Sequence, residues 1–94
     1  MLSKQEKQLL IKQAHHLKPI FQIGKNGISE EMIEGISNAL NNRELIKISL
    51  LQNCPYDKNE IAFDLQRLTQ GEVIQVIGKT IVLYRKAKKR SGTS

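Results

Sequence analysis

Pro19-Ile20-Phe21-Gln22-Ile23-Gly24-Lys25-Asn26-Gly27-Ile28-Ser29 is the stretch whose reading decides the fold. Pro19 closes off whatever helix precedes it, and the apolar run 20–23 suits a short strand. Gly24-Lys25-Asn26-Gly27 must then be a loop. Ser29 is a good N-cap, and Glu30 and Glu31 suit the first turn of the helix it opens, against the dipole. Strand, glycine-flanked loop and capped helix in direct succession point to an α/β chain.

The same signals recur on either side. Ahead of this unit, Ser3-Lys4-Gln5-Glu6 has the spacing of a capping box. Leu9, Leu10, Ala14 and Leu17 then recur at helical spacing, which predicts a helix over 3–17. Beyond it, Met32, Ile33, Ile36, Ala39 and Leu40 make one stripe, and Asn41-Asn42 marks the stop of a helix over 29–40. Residues 45–50 alternate with period two, placing Ile46, Ile48 and Leu50 on one face of a half-buried strand. Asp57-Lys58-Asn59-Glu60 repeats the capping pattern, and Ile61, Ala62, Leu65 and Leu68 carry a third helix until Gln70-Gly71. Residues 73–77 and 80–84 are β-branched runs separated by Gly78-Lys79, a hairpin signal. The expected order is α-β-α-β-α-β-β in a single compact α/β domain with a four-stranded mixed sheet, spanning residues 1–86. Residues 87–94 are expected to form a basic, disordered tail.

Composition narrows the function classes. With 94 residues there is room for one core and no second domain. No apolar run approaches the roughly 20 residues of a membrane span, and the polar, mixed-charge start is no secretory signal. Cys54 is the only cysteine, so neither an internal disulfide nor a cysteine-based zinc site is available, which fits a cytoplasmic protein. The formal charge of +6 is unevenly placed. Residues 1–27 hold five lysines against one glutamate, 28–84 hold five basic residues against eight acids, and 85–94 hold five basic residues and no acid. Basic flanks around a mildly acidic middle suit a chain that meets a polyanion on one side.

The loop 24–27 offers two readings. Its glycines can serve a purely steric strand-to-helix turn. They also let a ligand backbone approach closely, with Lys25 at the tip and helix N–H groups behind it, so that phosphate is a natural guest. The six-position phosphate loop and the third glycine of a dinucleotide site are both absent. A loop gripping a nucleic-acid backbone, as in KH domains, is the better match, although there the loop joins two helices rather than following a strand. His15 and His16 are adjacent and leave a helix in different directions, so no metal site is expected. Cys54 reads as an incidental thiol rather than a nucleophile. Phe21 and Phe63 read as core, and Tyr84 as core or edge packing. Few aromatics disfavour recognition by base stacking over backbone and shape recognition.

The ordered set of His15-His16-Leu17-Lys18-Pro19, Ile23-Gly24-Lys25-Asn26-Gly27, Glu44-Leu45-Ile46-Lys47 and Gly71-Glu72-Val73-Ile74-Gln75-Val76-Ile77-Gly78-Lys79-Thr80-Ile81-Val82-Leu83-Tyr84-Arg85 resembles the CRM domain. Within that family the chain is similar to the stand-alone bacterial YhbY-type RNA-binding proteins. The resemblance implies a fold like the C-terminal domain of translation initiation factor three and a GxxG loop that touches RNA. It also implies association with precursors of the large ribosomal subunit; plant organelle relatives serve group II intron splicing. Gly24, Lys25, Asn26 and Gly27 match the family's loop, and Lys18 and Arg85 stand in matching motifs.

The expectation is therefore a non-catalytic, monomeric RNA-binding protein without cofactor, metal, membrane or small-molecule substrate. Its partner is structured rRNA, contacted through Gly24, Lys25, Asn26 and Gly27 together with Lys18, Lys79 and Arg85. The alternative is a protein-interaction adaptor tethered to ribosomes by its basic tail.

Overall fold

The computed structural model describes residues 3–86; the expected tail, 87–94, lies outside them. The elements run α1 (Lys4–Ala14), β1 (Phe21–Ile23), α2 (Glu30–Arg43), β2 (Leu45–Leu50), α3 (Lys58–Thr69), β3 (Glu72–Ile77) and β4 (Thr80–Tyr84). The expected element order and the four-stranded mixed sheet are both present. Strand order is β1-β2-β4-β3, with β1 parallel to β2 and the two remaining pairs antiparallel.

Both faces of the sheet are covered. Ile36 and Leu40 of α2 and Ile61, Ala62 and Leu65 of α3 pack with Ile23, Ile46, Ile48, Leu50, Ile81 and Leu83 on one face. On the other, α1 places Ala14 against Leu45 and Val82, with Leu10 and Leu17 beside them. That is why β2 buries Leu45 as well as its alternating residues: the start of the strand lies between α1 on one side and α2 on the other.

Three helix-stripe assignments are corrected. Phe63, at 63% exposure, together with Leu9 and Leu68, lies on the solvent side of its helix. Each lies within an apolar pattern but outside the arc that faces the sheet. Phe21 does pack on the core, its ring close enough to Gly35 that a Cβ there would stand 3.3 Å from it.

Helix ends follow local chemistry where the caps are local. Ser3 Oγ accepts from the Glu6 amide at 3.2 Å, and Glu6 accepts in return from the Ser3 amide at 3.0 Å. These bonds, the backbone one foremost, hold the Glu6 carboxyl below its ordinary pKa. α1 ends at Ala14 rather than Leu17; the chain continues through turn bonds from His16 to Gln13 and from Leu17 to Ala14. α2 runs past the expected stop to Arg43, closed by Glu44 at a φ of 66°.

β3 carries a bulge. Val73 pairs with Leu83 and Gln75 with Val82, leaving Ile74 as the extra residue. Strict alternation would set Gln75 on the same face as Val73. The bulge instead lets Val73 and Val76 both reach the α2/α3 core while Ile74 joins the α1 side.

Candidate nucleic-acid interface

The carboxyl ends of β1 and β2 and the β3–β4 hairpin meet at one end of the sheet, and hydrogen bonds tie them together. The Leu51 amide donates to the Ile23 carbonyl at 2.8 Å, extending the parallel pairing past β2. The Leu50 amide donates to the Lys79 carbonyl at 2.7 Å, fixing the hairpin against β2. The Gly24–Gly27 loop is a tight turn closed by the Gly27 amide on the Gly24 carbonyl at 3.0 Å. Its tip residues, Lys25 and Asn26, are exposed, whereas Gly27 is buried.

Gly27 explains why the loop needs glycine. Its φ is +70°, and a Cβ would lie 2.7 Å from Tyr56 Cε2. Gly24 has ordinary φ and would meet Leu51 and Asn53 side-chain atoms at 3.2 and 3.3 Å. The turn is thus seated on the loop between β2 and α3, which the sequence did not connect with it. Gly27→Ala is expected to cost about 1–2 kcal/mol, mostly from the left-handed backbone. Gly24→Ala should cost less than half as much. Urea unfolding of both variants checks the order.

Lys25, Lys58 and Lys79 stand exposed at this end, and none has an acidic partner within ion-pair distance among the described residues. The start of α2 adds little positive potential, because the Ser29 hydroxyl accepts from the Met32 amide at 3.1 Å and Glu30 and Glu31 occupy the first turn. The available charge is therefore that of the lysines. Beside the turn lies a cavity of about 180 Å³ lined by Leu50, Leu51, Cys54, Tyr56, Asp57, Lys58 and Lys79.

The seven expected contact residues divide between the two ends of the sheet. Gly24, Lys25, Asn26, Gly27 and Lys79 share the loop end. Lys18 lies at the opposite end, by Arg43 and Leu45, separated from the loop end by the length of β2, about 17 Å at about 3.3 Å per residue.

Arg85 is also at that far end, and its guanidinium turns inward. It donates to the Thr69 carbonyl (2.6 Å), to the Ser37 carbonyl (2.8 Å) and hydroxyl (3.0 Å), and to Asn41 Oδ1 (2.8 Å). These bonds give Arg85 a structural role, joining the C-terminus of α3 to α2. A wider cavity at this end, about 530 Å³, is lined by Glu6 and Glu72 as well as by Arg85 and Lys86.

His15 and His16 are exposed at the end of α1, and among the described residues no group of three or more His, Cys, Asp or Glu is placed to hold a metal. Cys54 is half-buried, with its Sγ 3.8 Å from the Tyr56 carbonyl. No helix among the described residues is long and apolar enough to cross a membrane. Sequence reading missed Tyr56 and Lys58. The only signal was that Gly27 requires a close neighbour, and nothing local says which one.

A mixed α/β sheet with a helix on one face, two on the other and a lysine-bordered GxxG turn defines a class, and the comparisons name it. The CRS1 / YhbY (CRM) domain model matches residues 2–85; the chain belongs to this family. It is 50% identical over 88 residues to the Probable RNA-binding protein YqeI of Bacillus subtilis, covering 94% of this chain and 92% of that one. A Haemophilus influenzae protein named RNA-binding protein is 40% identical over 84 residues, covering 89% and 85%. The solution structure of the hypothetical protein SAV1595 from Staphylococcus aureus superposes with a TM-score of 0.79 at 49% identity, covering 98% and 96%.

Proposed function

We propose that this chain is a non-enzymatic, cytoplasmic RNA-binding protein that acts as a monomer on structured rRNA in precursors of the large ribosomal subunit. The observation that carries the reading is the loop end itself. A turn closed by its own hydrogen bond and packed against Tyr56 presents Lys25 and Asn26 outward, with Lys58 and Lys79 beside it and no acidic partner holding those lysines among the described residues. The names of the bacterial relatives support RNA as the partner, and the CRM resemblance supports the ribosomal destination.

In this reading the turn allows close approach of a phosphate because Gly24 and Gly27 carry no Cβ. Lys25 neutralises it, and Lys58 and Lys79 neutralise its neighbours along the strand. Lys18 and Arg43, at the other end, are available to a second stretch of the same RNA. Arg85 is left out, being committed to α2 and α3.

The reading has a thermodynamic signature. If Lys25 neutralises one phosphate, Lys25→Ala flattens the slope of log affinity against log salt by about 0.7–0.9 for a fixed rRNA hairpin. A slope and affinity equal to wild type would remove Lys25 from the contact.

A further inference from the structure

Resting on the RNA-binding reading above, we propose that the cavity beside the Gly24–Gly27 turn receives the base of one unpaired nucleotide, stacked on Tyr56. Its phosphate would be held at the turn. The loop is then a reader of single-stranded or bulged positions as well as a phosphate grip.

Four observations converge on this. Tyr56 is 48% exposed although its ring is packed on the Gly27 backbone, so it is braced on one side and open on the other. A braced, half-exposed aromatic is the form of platform on which unpaired bases stack, at little further ordering cost. Next, the cavity of about 180 Å³ is walled by Leu50, Leu51 and Cys54, apolar surface suited to the body of a base rather than to a phosphate. Third, Lys58 and Lys79 border the cavity beside the Asp57 cap, and Lys25 stands on the adjoining turn, so cations outnumber the one acid where a strand's phosphates would lie. Finally, the platform is held in place: the Cys54 amide donates to the Leu51 carbonyl at 3.0 Å, and the Asp57 side chain caps α3 through the Asn59 amide at 3.0 Å. An acidic peptide would satisfy the lysines but leave the apolar wall and the ring without a partner.

The chain has no tryptophan and two tyrosines, which makes the test direct. In a Tyr84→Phe background, intrinsic fluorescence reports Tyr56 alone. Two probes are titrated: octauridylate and a blunt RNA duplex of about 16 base pairs. Binding of each is followed independently by anisotropy of an end label. The expected result is that octauridylate quenches Tyr56 emission as it binds, while the duplex binds without quenching. In the otherwise native chain, Tyr56→Leu, which keeps apolar contact with Gly27, should weaken octauridylate about tenfold and change duplex affinity by less than about twofold.

Octauridylate that binds without quenching overturns the base pocket and leaves the RNA-binding reading standing. If neither probe binds the native chain, the RNA-binding reading falls and the pocket with it. Because the quenching arm keeps Tyr56 intact, loss of folding in Tyr56→Leu would not spare the proposal.

Discussion

Arg85→Ala should lower the stability of the fold by about 3 kcal/mol, seen as a fall of roughly 15 °C in the melting temperature of a domain of this size. The guanidinium bridges α3 and α2 through the Thr69 carbonyl, the Ser37 carbonyl and hydroxyl and the Asn41 side chain. Hydrogen bonds to a charged donor contribute about 1.5–3 kcal/mol each when buried. These are partly exposed, and Arg85 Nε is buried without a partner, so their sum is well below four full bonds. The cation also sits at the carboxyl end of α3, where it meets the negative pole of that helix.

Arg85→Lys should recover little of this, since one ammonium cannot span two helices as the planar fork does. A loss below about 1 kcal/mol, joined to a clear fall in RNA affinity, would return Arg85 to the contact surface.

How far this was legible in the sequence depends on how local the cause is. The capping box at Ser3 and Glu6, the Ser29 and Asp57 caps and the hairpin at Gly78-Lys79 each lie within a few residues of what they determine. β2 and β4 also fall where the alternating and β-branched runs placed them. The far end of α2 is different. Asn41-Asn42 reads as a stop, yet Asn41 accepts from Arg85, forty-four residues on, and the helix runs on to Arg43. The bulge at Ile74 exists because two opposed layers compete for one strand, and no strand pattern reports which layer stands where.

The site divides on the same line. Gly24-Lys25-Asn26-Gly27 was legible as a unit because its chemistry is contiguous. That Lys79 joins it and that Lys18 lies at the opposite end follow from strand order, whereas the support of the turn by Tyr56 depends on the path of the loop after β2. The parallel pairing of β1 with β2 brings the loop after each to one end. The antiparallel β4 brings its hairpin to the same end.

Reversing the charge at this end should have the largest effect on binding. Lys25→Glu with Lys79→Glu removes two phosphate neutralisations and places two anions beside the strand, for an expected loss of about a hundredfold in affinity for structured rRNA at moderate salt. Both side chains are exposed, so the thermal midpoint should stay close to wild type. Lys18→Glu, at the other end of β2, tests how far the contact extends. A loss of about fivefold or less would keep the grip at the loop end. A loss as large as that of the double variant would mean that the RNA runs the length of the sheet.

The most direct measurement is crosslinking in cells, with sequencing of the bound RNA, for the native chain and for the folded Lys25→Glu, Lys79→Glu variant. Defined peaks in large-subunit rRNA that vanish in the variant are the predicted result. Peaks that persist in the variant but disappear when residues 87–94 are removed would contradict it. The protein would then be an adaptor held to ribosomes by its tail.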